Sequence, residues 1–326
     1  MLGSTLFVLC GLVALLAGGT ALVRGASSLA TRTGIPPLIV GLTIVAFGTS
    51  APELVVTVMG TLQGISDLAY GNVVGSNIAN ISLVLATAAL IAPVTIEGQL
   101  VRREVPLLLL GTAVLVVMSL DNVLRGSDAL LDRGDGLVLI LLFTIFIYIT
   151  VGDVSRRRQD PLVTGAEMLP IPEPDAADRA KDWAFLLSGA AGLAIGGQLT
   201  VTYGAELAAG LGVPVSVVGL FIVAIGTSLP ELATSITAAV KQEPDLCVGN
   251  VIGSNLMNGL FVLPIGALVN PISVPDFGLV DLQFSFFLTA ALIPIFIFGR
   301  SRLGRPVGAI LLFSYVGYLL LRLNFN

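Results

Sequence analysis

The chain has 326 residues, 55% of them hydrophobic and 11% charged, with a mean hydropathy of +0.98 and a net charge of −5. A soluble domain is about 25% charged, so this composition excludes a soluble globular protein and indicates a chain that crosses a membrane many times. Histidine is absent, and the two cysteines, Cys10 and Cys247, lie in or beside apolar runs, which argues against a zinc site, a histidine relay or a disulfide framework.

A membrane-spanning helix needs about 20 mainly apolar residues. Ten spans are predicted, at 4–23, 36–61, 69–92, 105–120, 135–152, 183–208, 213–240, 247–269, 280–298 and 305–322. The first lacks the basic flank of a signal peptide and is too long for one, so it is expected to remain as span 1. Arg24, at its inner end, is expected to snorkel. The loop 121–135 (DNVLRGSDALLDRGD) carries four aspartates without the ligand spacing of an EF-hand, and reads as a solvated loop. Residues 153–182 are charged and proline-spaced, and read as a flexible tether. The division is therefore a first half 1–152, the linker 153–182, and a second half 183–326. Glu206, near the outer end of span 6, is read as reaching the interface.

If the spans are correct, the loops alternate sides. One side then collects 13 of the 16 basic residues and the other three, Arg125, Arg133 and Arg322. Positive charge marks the cytoplasmic side, so the central loop is expected inside and both termini outside.

The two halves repeat one another. GLTIVAFGTSAPEL (41–54) returns as GLFIVAIGTSLPEL (219–232), with 11 of 14 positions identical at an offset of 178. GNVVGSNIAN (71–80) returns as GNVIGSNLMN (249–258), with 7 of 10 identical at the same offset. Five spans per copy, an odd number, turn the second copy upside down. The expected fold is thus an all-α membrane protein of ten transmembrane helices in two inverted five-helix repeats.

Each copy places one glutamate, Glu53 or Glu231, within an apolar run. A charge at mid-bilayer costs about 2.5–3.5 kcal/mol on insertion scales, so an acid there is expected to serve function. Pro52 cannot donate to the Gly48 carbonyl and clashes with it, and Pro230 does the same to Gly226. Spans 2 and 7 are therefore expected to break, which is tolerated only where the break lines a cavity or packs against protein. The carbonyl end of the first half-helix favours a cation, and the N–H end of the second holds the glutamate ionised. Ser76 and Asn80, like Ser254 and Asn258, are spaced i, i+4 and share a helix face. Asn77 and Asn255 point elsewhere and are expected to hydrogen-bond between helices. The donors are two carboxylates, amide oxygens, and hydroxyls of Thr49, Ser50, Ser76, Thr227, Ser228 and Ser254. All are hard oxygens, suited to calcium or sodium.

The doubled motif G-T-S-x-P-E followed by G-N-V-x-G-S-N-x-x-N resembles the two alpha repeats of the sodium/calcium exchanger family, among the calcium/cation antiporters. The resemblance implies that Glu53 and Glu231 are shared calcium and sodium ligands. It implies that Thr49, Ser50, Ser76, Thr227, Ser228 and Ser254 supply hydroxyl or carbonyl oxygens, and that the carbonyls of Ala46 and Ala224 serve outlying sodium sites. Asn80 matches the family's asparagine. Asn258 departs from the pattern, because well-studied members resembling this chain carry aspartate there, so three-sodium-for-one-calcium exchange is not carried over. The cytosolic calcium-sensing domain of animal members is absent from this sequence.

The expected function is calcium/sodium antiport by alternating access, in a multi-pass protein of the plasma or inner membrane. Its partners are calcium, sodium and the lipid bilayer; no other cofactor and no nucleic acid is expected. A proton-coupled calcium or cation antiporter is the alternative, since both glutamates can carry protons. A cation channel with a ring of glutamates fits the broken helices less well. No nucleophile–base pair is evident, so an enzyme is not expected.

Overall fold

The computed structural model describes residues 2–95, 100–159, 176–211, 224–299 and 302–324. Apart from two short ribbons and the connecting turns, these residues are helical. Helix α1 is Leu2–Thr33. The second expected span is a pair, α2 (Pro37–Thr49) and α3 (Ala51–Leu62), bent by 46° at Ser50. Then follow α4 (Ser66–Ile91), α5 (Val105–Met118), α6 (Arg133–Gln159) and α7 (Ala176–Gly210). The second half continues with α8 (Ala224–Thr227), α9 (Leu229–Val240), α10 (Pro244–Val269), α11 (Gly278–Phe298) and α12 (Arg305–Asn324).

Among the described residues seven helices are long and apolar enough to cross a membrane, and an eighth if the bent pair is one span. The expected spans at 105–120 and 213–240 hold the shorter helices α5 and α9. Residues 213–223 of the latter, and 160–175 of the expected linker, lie outside the described residues.

Burial separates the helices into two classes. Within their most apolar stretches, α4 is 72% and α10 is 83% buried, against 17–33% for α1, α6, α7, α11 and α12. The two central helices are the ones that carry the GNV-x-GSN blocks. Their glycines and serines leave room for neighbours on every side, whereas the outer helices turn leucine and phenylalanine outward to lipid. α10 passes so close to α2 that a methyl group on Gly253 would lie 2.5 Å from the Leu42 carbonyl oxygen.

α1 and α7 form a second unit, packed backbone to backbone and antiparallel. A methyl group on Gly18 would lie 2.7 Å from Leu193 N, and one on Gly189 would lie 2.5 Å from Leu22 N. Gly11 and Gly189 are equivalent in the repeat, as are Gly18 and Gly196. Gly11 in fact abuts Gly196, and Gly18 abuts Gly189. This reciprocal exchange is what a two-fold relation between inverted copies produces. At one end of the pair Arg32 bridges Asp178 (2.6 Å) and Asp182 (3.1 Å). Arg24 lies over the Phe185 ring at 4.7 Å, so its stem runs along apolar surface as expected of a snorkelling arginine.

Short contacts sort the loops into two ends. Strand β1 (Val94–Thr95) pairs with β4 (Arg302–Leu303), and β2 (Leu130–Leu131) pairs with β3 (Ile272–Ser273). Ser27 donates to Glu243 Oε1 at 2.8 Å, and Arg305 Nε to the Leu90 carbonyl at 3.1 Å. Asn270 Nδ2 donates to the Thr61 carbonyl at 3.3 Å. Each contact joins loops that the alternation of ten spans puts on the same side.

Candidate cation site

Both expected helix breaks are present at equivalent serines. Ser50 has φ −85°, ψ 4°, and Ser228 has φ −85°, ψ 3°. Pro52 and Pro230 then sit in the first turn of α3 and α9, where a missing N–H costs no helical hydrogen bond. Glu53 and Glu231 follow in the same turns and are wholly buried. Carboxylates at these positions meet the positive end of each half-helix.

The hydroxyls cross from one repeat to the other. Ser50 Oγ donates to Glu231 Oε1 at 3.3 Å, and Ser254 Oγ reaches the same oxygen at 3.4 Å. Thr49 Oγ1 lies 3.3 Å from Ser254 Oγ and donates to Asn250 Oδ1 at 3.0 Å. Ser76 Oγ and Thr227 Oγ1, the repeat equivalents of Ser254 and Thr49, are also 3.3 Å apart. Glu53 follows three residues after Ser50, whose hydroxyl reaches Glu231, so the two carboxylates belong to one cluster.

Several buried oxygens in this cluster have no hydrogen-bond partner: both carboxylate oxygens of Glu53, Glu231 Oε2, Ser228 Oγ, Asn80 Oδ1 and Asn258 Oδ1. A buried, unsatisfied polar atom costs about 1–3 kcal/mol, and more when charged. A cation bound among them would remove that cost. Among the described residues no three Asp, Glu, His or Cys side chains converge on a metal position. Cation charge must therefore be met by two carboxylates, with neutral oxygens completing the shell. Calcium, which accepts 6–8 oxygens in flexible geometry, fits such a donor set.

Asn80 and Asn258 each open a π-helical turn, Asn80–Leu85 and Asn258–Val262. Such turns occur frequently at functional sites. Asn80 Nδ2 donates to Asn255 Oδ1 at 3.0 Å, and Asn255 Nδ2 to the Asn77 carbonyl at 3.1 Å. Asn255 thus links the two central helices, as its off-face position predicts. The Ala46 carbonyl accepts Ser50 N–H at 2.9 Å, so it is already engaged within its own half-helix. Ala224 is the first described residue of α8. The sequence reading passes over Asn72 and Asn250, which touch the backbone of the two glutamates. Their signal is present, since both occupy the same place in the repeated block.

The family model for the sodium/calcium exchanger protein matches residues 3–152 and 181–324. The chain belongs to the sodium/calcium exchanger family. Exchanger relatives align along nearly the whole length. A putative antiporter, CaxA, of Alkalimonas amylolytica is 38% identical over 98% of each chain. The sodium/calcium exchanger MaX1 of Methanosarcina acetivorans is 30% identical, over 96% of this chain and 97% of its own. A Ca²⁺/H⁺ antiporter of Synechocystis is 26% identical over 90% of this chain and 83% of its own. Among solved structures, the sodium-calcium exchanger NCX_Mj superposes with a TM-score of 0.82 at 27% identity, covering 96% of both chains. Exchanger homology over the full length makes this chain an integral, multi-pass cation/calcium antiporter.

Proposed function

We propose that the chain exchanges calcium for sodium by alternating access at the site between Glu53 and Glu231. The observation that carries this reading is the set of buried, unpartnered oxygens gathered around two carboxylates that come from inverted repeats. Two bare carboxylates in a low-dielectric slot are too costly to occlude. A bound Ca²⁺, or Na⁺ ions in its place, neutralises them and permits the conformational swing. The empty carrier is thereby disfavoured, and transport in one direction requires return loaded with the other ion.

The proposed topology has ten spans, with the halves 1–152 and 183–326 inverted about the membrane plane. Both termini face out, and the linker 153–182 is cytoplasmic. Its support is the 13-to-3 partition of basic residues together with the contacts that group the loops at two ends. Sodium coupling is supported by the similarity to a protein named as a sodium/calcium exchanger. A proton-coupled reading has its own support in the similarity to a protein named as a Ca²⁺/H⁺ antiporter.

Calcium-45 uptake into proteoliposomes under imposed sodium, potassium or proton gradients separates the two. Uptake driven by outward sodium at clamped pH is expected. Uptake driven by a pH gradient without sodium would replace this reading with the proton-coupled one.

A further inference from the structure

Asn72 and Asn250 make the same pair of hydrogen bonds in the two halves. Asn72 Nδ2 donates to the Glu53 carbonyl at 3.1 Å and to Thr57 Oγ1 at 3.0 Å. Asn250 Nδ2 donates to the Glu231 carbonyl at 3.5 Å and to Ser235 Oγ at 3.1 Å. All six residues obey the 178-residue offset. Both amides are buried, at 6% and 0% exposure, so each bond forms away from water and has no solvent substitute.

The geometry shows why the site needs them. The serine break uncouples α3 from α2, and α9 from α8, so neither half-helix inherits its position from the one before it. Each must be set by contact with a neighbour. The asparagine reaches from the central helix to the peptide of the glutamate itself and to the hydroxyl one turn further on. Two acceptors on one half-helix fix both its height and its rotation. The amide oxygen of Asn250 has a further task, because it accepts Thr49 Oγ1 at 3.0 Å and so ties the first repeat's break to the second repeat's glutamate. The equivalent oxygen, Asn72 Oδ1, is buried and has no partner.

We infer that Asn72 and Asn250 are positioning residues that set cation affinity, by holding the half-helices whose first turns present Glu53 and Glu231. This rests on the cation site proposed above. Each asparagine acts through the glutamate it anchors, as outer-shell partners do for metal ligands, where losing one lowers affinity or activity by about 10–100-fold.

The test uses the full chain in proteoliposomes. Initial calcium uptake is measured against external calcium for Asn72→Ala, Asn250→Ala and the near-isosteric, uncharged Asn72→Leu and Asn250→Leu. Leucine keeps the size and adds no charge but removes the amide. Thermal melting in detergent accompanies each. The inference expects KM for calcium to rise about 10-fold or more in all four, with maximal rate changing far less and the melt still cooperative. If a variant does not fold, the acceptor-side changes Thr57→Val and Ser235→Ala carry the same expectation at reduced size. An unchanged KM in folded variants, or a fall in maximal rate alone, assigns the asparagines to packing and overturns the inference. Failure of the unmutated protein to transport calcium would instead overturn the functional reading on which it rests.

Discussion

The hydroxyl of Ser50, at the break in the first repeat, lies 3.3 Å from Oε1 of Glu231 in the second. The equivalent pair, Ser228 and Glu53, makes no such bond, and the oxygens of both side chains are unpartnered. Glu231 also takes Ser254. The half-sites thus differ in the hydroxyl contact that crosses from Ser50 to Glu231, while the asparagine anchors reach equivalent partners in both halves.

The charge of both glutamates is expected to be required for calcium uptake. Replacing Glu53 or Glu231 by glutamine preserves shape and removes half of the site's negative charge. Attraction between unit charges 4 Å apart is about 4 kcal/mol at an effective dielectric of 20, and twice that for a divalent ion, so calcium affinity should fall by at least roughly 10³. Calcium-45 uptake should vanish at micromolar calcium in both variants, with the detergent melt retained. Uptake at the unmutated level in either would remove that glutamate from the site.

At Gly189 the α1–α7 seam leaves no room for a side chain. A methyl group on Gly189 would stand 2.5 Å from Leu22 N, a backbone atom that cannot move alone. Gly189→Ala should therefore destabilise by about 1–3 kcal/mol, the usual cost of overpacking. Gly317→Ala, where a methyl group meets nothing within 4 Å among the described residues, should be neutral. Thermal melting of the two variants side by side decides the point; equal melting temperatures would show that the helices separate without cost.

Much of this architecture was legible in the sequence for one reason: the chain states it twice. The offset of 178 located both glutamates, both breaks and the central helices. Proline and the residues before it act locally, so Ser50 and Ser228 could be placed without knowing their neighbours. The roles of Asn72 and Asn250 were not legible. Their partners lie 15 and 19 residues away, across a helix–helix contact whose rotation the sequence does not specify. The π turns at Asn80 and Asn258 were hidden too, because no residue propensity marks them. The asymmetry between half-sites was beyond reach in principle, since equivalent residues read alike.

Thiol labelling tests the topology. Cys10 and Cys247 are first replaced by serine. Ser127→Cys and Asp276→Cys, both exposed at the end joined by β2 and β3, should react with an impermeant maleimide applied outside intact cells. Arg302→Cys, exposed at the opposite end in β4, should react only after the membrane is opened. Reaction of Arg302→Cys from outside would invert the proposed orientation.

Asn258 bears on stoichiometry. Its side chain is wholly buried, and neither its amide oxygen nor its nitrogen has a hydrogen-bond partner. It therefore belongs to the unsatisfied set that a cation would meet, but it contributes an oxygen without a charge. The two carboxylates balance one Ca²⁺ or two Na⁺. A third Na⁺ would leave a net positive charge in the occluded site, where among the described residues no third acid joins the two glutamates to offset it. Exchange is therefore expected at two sodium ions per calcium. The sodium dependence should have a Hill coefficient nearer two than three, and flux should respond weakly to membrane potential. Asn258→Asp restores a titratable anion and should move the coefficient toward three while making the flux depend on pH. The measurement is sodium-driven calcium-45 flux at potentials imposed with potassium and valinomycin, across a range of sodium concentrations. Strongly electrogenic exchange by the unmutated protein would mean that neutral oxygens alone hold a third sodium, and the two-sodium reading would fall.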